Sequence, residues 1–204
     1  TYWGEQPYTA GPTYLGAIIV FLALLGILLA ENRDRWWIVA ATIFAIMLSW
    51  GYHAMWFTKL CFNYLPLYNK FRAVSTALVV VEWSAPLLAG LALWQVCKRW
   101  GERKVVARAI AIAAGVTAGL CLIFAVAGSS LFDFGREESI AMMGEAVGDE
   151  GIGYTLGEAM VAERASILSD DATRSLLFVA LTAGLLIIAL TLKEQSKRAI
   201  GFTT

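Results

Sequence analysis

About five apolar blocks, each close to the length needed to cross a lipid bilayer, are separated along this chain by short charged stretches. They cover residues 14–30, 36–52, 73–96, 105–128 and 175–192. The blocks are continuous runs and not alternating segments of about ten residues, so they read as helices and not as barrel strands. A helix satisfies its own backbone hydrogen bonds, which is what hydrocarbon demands. The expected class is therefore all-α, a polytopic transmembrane helix bundle with interfacial and external amphipathic helices. Composition agrees: 59% of the 204 residues are hydrophobic and 16% charged, against roughly 45–50% and about 25% in soluble domains. Mean hydropathy is +0.66.

The first block stops at the charged turn Glu31-Asn32-Arg33-Asp34-Arg35. The second carries Trp36, Trp37, Trp50 and Tyr52 at its ends, where amphipathic rings settle among headgroups. The third contains Glu82 and Pro86 and closes on Lys98-Arg99. Within the fourth, Gly115-x-x-x-Gly119 is a spacing that lets helix backbones approach closely. The fifth ends at Lys193 and the pair Lys197-Arg198.

Basic residues cluster after blocks one, three and five: Arg33, Arg35, Lys98, Arg99, Arg103, Lys104, Lys193, Lys197 and Arg198. The positive-inside rule makes those loops cytoplasmic, so the N-terminus of the chain lies outside and its C-terminus inside. The whole of residues 1–204 then forms one membrane-embedded region with external segments 1–13, 53–72 and 129–174. Residues 54–68 are aromatic but hold Lys59, Asn63 and Pro66, which suits an interfacial or re-entrant element. Residues 131–173 mix apolar and acidic side chains, which fits short external helices broken at Gly148, Gly151 and Gly153.

Several functions are disfavoured. Net charge is zero and no basic stripe runs along the chain, which argues against nucleic acid as a partner. Cys61, Cys97 and Cys121 form no CxxC pair and have no histidine nearby, so a metal site does not follow from them. Gly151-x-Gly153 lacks the strand and helix context of a phosphate loop. No cofactor motif is evident, and a divalent metal is compatible with the sequence without being readable from it. The start at Thr1, without an initiator Met or a basic signal region, reads as an internal or C-terminal fragment whose partners include membrane lipids and the remainder of its own polypeptide.

Four motifs occur in order: Tyr2-Trp3-Gly4-x-Gln6-Pro7-x-Thr9-x-Gly11-Pro12-x-Tyr14, Leu48-Ser49-Trp50-Gly51, Pro66-x-Tyr68-Asn69-Lys70-Phe71-Arg72-Ala73 and Asp171-Ala172-x-Arg174-Ser175-Leu176. In these the chain resembles the YfhO family of bacterial integral membrane proteins, especially members from Bacteroidetes-like bacteria, along essentially its whole length. The resemblance implies a longer multi-span protein of the bacterial cytoplasmic (inner) membrane with a glycosyltransferase fold of the GT-C type. It further implies a polyprenyl-phosphate-linked sugar as donor and a cell-envelope polymer as acceptor. The catalytic acid would lie in an external loop upstream of this fragment, which leaves the catalytic residue here unknown.

The residues carry their own readings. Tyr68, Asn69, Lys70 and Arg72 stand at the outer end of the third block, where a point charge and a planar fork could hold a lipid phosphate. Equally, such cations snorkel to ordinary headgroups. Glu82 is the carboxylate inside a block; it is expected to turn into the bundle and meet either substrate or a structural partner, because an ionised group in lipid is costly. Trp3, Gln6 and Tyr8 either line an external cleft or belong to an aromatic belt. His53, alone, is an interfacial polar residue or a proton shuttle. Asp171 and Arg174 have the spacing of an ion pair that caps and anchors the fifth block. Three function classes remain open: the glycosyltransferase, a transporter or flippase for a lipid-linked or anionic solute in which Glu82 and Pro86 mark a broken helix, and a scaffold without chemistry.

Overall fold

A computed structural model describes residues 14–30, 34–50, 54–64 and 74–201. The described residues are all-α: α1 (Ala17–Leu29), α2 (Asp34–Ser49), α3 (Met55–Tyr64), a 3-10 turn (Val74–Ala77), α4 (Leu78–Lys98), α5 (Arg103–Leu131), α6 (Arg136–Val147) and α7 (Glu150–Gly201). Three of these, α4, α5 and α7, are long and apolar enough to cross a membrane. The first two blocks form shorter helices of 13 and 16 residues, about 20 and 24 Å at 1.5 Å per residue, against a hydrocarbon core of about 30 Å. The protein is thus a membrane protein whose apolar helices meet lipid, and α1 and α2 are shorter than the three helices of spanning length.

Contacts among the described residues group into two compact units: residues 116–180, and those within 14–115 together with 181–201. In the second unit α1 packs on α4, and α2 also packs on α4. Because α1 is apolar all round, it can be covered on most sides: Phe21, Leu25 and Leu29 are fully buried. Ala23, Ile38, Ala85 and Leu88 form a shared core from the three helices. Close packing and not water exclusion holds such helices together in lipid, and Gly26 supplies it. A Cβ there would lie 2.2 Å from the Leu88 carbonyl oxygen. The expected small-residue contact at Gly115 and Gly119 is not used so: a Cβ at either position meets nothing within 4 Å among the described residues. Where two backbones touch is decided by which helix lies opposite, and glycine spacing within one helix does not record that.

α3 sits on α2 through Ala54, Phe57 and Cys61 against Met47 and Leu48, with the Phe44 and Phe57 rings edge to face at 6.1 Å. Trp56, Phe62 and Tyr64 of α3 are exposed. Ten residues reach about 15 Å, too short to cross, and exposed aromatic rings suit a helix lying at a membrane surface.

In the first unit the chain leaves α5 through Phe134 and Gly135, both left-handed at φ 54° and 67°, a conformation that costs a bulky residue about 1–3 kcal/mol. Burial of the Phe134 ring offsets that cost. The Arg164 guanidinium also donates to the Phe134 carbonyl (2.7 Å) and to the Ser139 hydroxyl (2.8 Å). α6 then runs antiparallel to the start of α7. Gly153 faces Gly144 and Gly157 faces Ile140 closely enough that a Cβ at either glycine would collide with backbone at 2.4 and 2.7 Å.

The break expected at Gly148 is present, with φ +71° ending α6. Those expected at Gly151 and Gly153 are not, since both lie inside α7. Asp149 caps this helix, its Oδ1 accepting the N–H of Gly151 (2.8 Å) and Ile152 (3.1 Å). α7 is 52 residues long, about 78 Å. The fifth block is its later part, so the stretch 150–174, about 37 Å, is continuous helix instead of short helices broken at Gly151 and Gly153.

Candidate functional site

α4 presents two faces. Val81, Ser84, Ala85, Leu88, Ala89 and Ala92 turn inward, and Ser84 meets Thr42 of α2, whose hydroxyl donates to Ser84 Oγ at 2.7 Å while staying within 2.7 Å of the Ile38 carbonyl. Glu82 lies on the other face beside the exposed Val79, Trp83 and Leu87. The expectation that it turns into the bundle is corrected. It has no hydrogen-bond or ion-pair partner among the described residues. The reason is its place in the helix: four residues past Leu78, Glu82 is only about 6 Å from the start of α4, near the positive end of the helix dipole and close to the headgroups. A carboxylate there avoids most of the cost it would meet at the bilayer centre.

Pro86, one turn further on, has no N–H to donate to the Glu82 carbonyl. Both the side chain and the main chain of Glu82 therefore leave acceptors on this exposed face. α4 nevertheless continues unbroken from Leu78 to Lys98.

The other residues expected at a site, Trp3, Gln6, Tyr68, Asn69, Lys70 and Arg72, lie outside the described residues, as do Tyr8 and His53. Chain order sets Tyr68 to Arg72 between α3 and the 3-10 turn that leads into α4, so they are separated from Glu82 by about ten residues.

At its far end, α1 stops against cations. Arg35 donates to the carbonyls of Ile27 (3.0 Å) and Ala30, and Arg99 reaches that of Leu29 (3.5 Å). These carbonyls carry the negative end of the helix dipole, which cations stabilise. Arg35 also covers the Trp36 ring at 5.0 Å. Arg99 holds Glu102 at 2.5 Å.

In the first unit Arg136 pairs with Glu158 at 2.6 Å, and that carboxylate raises the guanidinium's proton affinity, with the Tyr154 hydroxyl adding to it. An open cleft lined by Ile140, Ala141, Gly144, Glu145, Gly148 and Tyr154 lies along the α6–α7 pair. Asp171 and Arg174 stand 3.9 Å apart and exposed. They do not cap a helix start, because α7 passes through them. Among the described residues, no three His, Cys, Asp or Glu side chains gather as a metal site would require.

Sequence reading missed the Thr42–Ser84 bond and the Arg164 clamp, which join residues 42 and 30 positions apart. The Asp149 cap could have been found, since an Asp before a helical run is a start signal. Comparison with protein-family models, curated proteins and solved structures finds no match to this chain.

Proposed function

We propose that the chain is the membrane-embedded part of a YfhO-like glycosyltransferase of the GT-C type. It uses a polyprenyl-phosphate-linked sugar to glycosylate the cell envelope at the outer face of a bacterial cytoplasmic membrane. The observation that carries this reading is the order of the four motifs along the sequence, with Pro66–Ala73 leading directly into the first long membrane helix. The all-α architecture and the exposed aromatic side chains of α3 are compatible with it.

Sugar transfer breaks the bond from the anomeric carbon to phosphate oxygen and forms a glycosidic bond to the acceptor hydroxyl. The departing lipid phosphate gains negative charge. Lys70 as a point charge and Arg72 as a planar fork would stabilise it, with Tyr68, Asn69, Trp3 and Gln6 as further contacts to the donor. Glu82, exposed about 6 Å into α4, is proposed as one more contact to the donor.

The orientation proposed with this reading puts the basic ends of α4, α5 and α7 in the cytoplasm and the α6–α7 pair outside. A transporter reading draws less support, because the helix break it needs at Pro86 is lacking in α4.

Binding of a polyprenyl-phosphate analogue to the purified chain in detergent tests the proposal. Lys70→Gln and Arg72→Gln should each weaken binding about tenfold to a hundredfold, the loss of one charge-assisted hydrogen bond. Arg72→Lys should restore it only in part. Equal affinity in all four proteins would remove the donor site.

A further inference from the structure

We propose that the groove between the last turn of α1 and the first turns of α5 holds an anionic phospholipid. Lys104 and Arg108 would bind its phosphate, and Leu28, Val105 and Ile112 would line its acyl chain. The groove has a volume of about 370 Å³ and is lined by these five residues and Ala109, which is room for a headgroup and the start of a chain.

Lys104 and Arg108 are one helical turn apart and therefore on one side of α5, both exposed. Neither has a hydrogen-bond or ion-pair partner among the described residues. The nearby carboxylate, Glu102, is held by Arg99 through bonds of 3.2 and 2.5 Å. The first turn of α5 contains no acidic residue. Both cations thus stand near the positive end of their own helix dipole with no balancing carboxylate among the described residues, which is where an anion is favoured.

α5 is long and apolar enough to cross a membrane, so Arg103 marks its headgroup end and Arg108 lies about 7.5 Å further in. Side chains on a helix lean toward its N-terminus, which carries both cations back toward the phosphates. Leu28, Val105 and Ile112, each close to half exposed, continue the groove toward the hydrocarbon. A phospholipid brings negative charge and an apolar chain in one molecule. A protein helix in the same place would bury both cations unless it carried its own carboxylates. The site is remote in sequence from residues 66–73 and does not rest on the glycosyltransferase reading.

The test is native mass spectrometry of the chain released from nanodiscs of equal phosphatidylglycerol and phosphatidylcholine. The wild type should retain phosphatidylglycerol in preference. Lys104→Gln with Arg108→Gln should lower that retention about thirtyfold, the effect of two surface cations. Leu28→Trp, which fills the groove and leaves charge unchanged, should also lower it, and Lys98→Gln, outside the groove at the end of α4, should not. The proposal is overturned if the wild type shows no preference, if Lys98→Gln loses as much as the double variant, or if Leu28→Trp retains lipid normally.

Discussion

Gly26 carries more of the packing than any apolar residue beside it could, because its hydrogen faces the main chain of α4. Gly26→Ala should destabilise the protein by about 1–3 kcal/mol, the usual range for overpacking. Gly90→Ala, on the same bundle with nothing within 4 Å of the added carbon, should be neutral or slightly stabilising through helix propensity. Thermal unfolding in detergent, read by circular dichroism, compares the two; similar midpoints would show that α1 and α4 are not in contact at Gly26.

A second prediction at this scale concerns Thr42 and Ser84. A double-mutant cycle with Thr42→Val and Ser84→Ala should give a coupling of about 0.6 kcal/mol, typical of a hydrogen bond between membrane helices. Cys61 is buried, and burial pushes its thiol up from the ordinary value. At neutral pH it should react with maleimide far more slowly than the exposed Cys97. Little of this was legible in the sequence. Glycine spacing drew attention to Gly115 and Gly119, yet a glycine's role depends on the helix opposite, and sequence periodicity says nothing about partners. Glu82 misled for a related reason: its type suggested burial, while its closeness to the start of α4 makes exposure affordable.

Elements were more legible than contacts, because hydrophobic runs report directly on what lipid requires. The five blocks correspond to α1, α2, α4, α5 and the later part of α7. Their ends were less legible. The extent of α7 was hidden because the stretch 150–174 alternates glycine, acids and apolar residues, and such glycines normally argue for turns. Here Gly153 and Gly157 serve close packing of α6 against α7, and that packing stabilises the helix against their poor intrinsic propensity. Spin labels at Ile152 and Leu177, both exposed, should give one narrow distance near 37 Å, the length of 25 helical residues. A much shorter distance would show that α7 bends between its external part and its span. Gly157→Val should separate α6 from α7, and faster proteolysis within 136–158 would report it.

At the scale of the whole molecule the account rests on a membrane crossed by α4, α5 and α7, with lipid as the solvent for their exposed apolar faces. A continuous α5 that crosses once must put its Arg103 end and its Leu131 end on opposite sides. Residues 98–104 precede α5 and are basic, and residues 136–158 follow it and are acidic, so labels placed in each report whether α5 crosses. The direct measurement is labelling of single cysteines in intact cells with a membrane-impermeant maleimide, after the native cysteines are replaced. One cysteine is placed at Glu102 and another at Met142, both exposed. The account predicts that Met142→Cys is labelled in intact cells and Glu102→Cys only after permeabilisation. Labelling of Glu102→Cys alone would reverse the orientation and move the proposed donor site to the cytoplasm. Equal labelling of both in intact cells would contradict a crossing by α5, and with it the membrane fold itself.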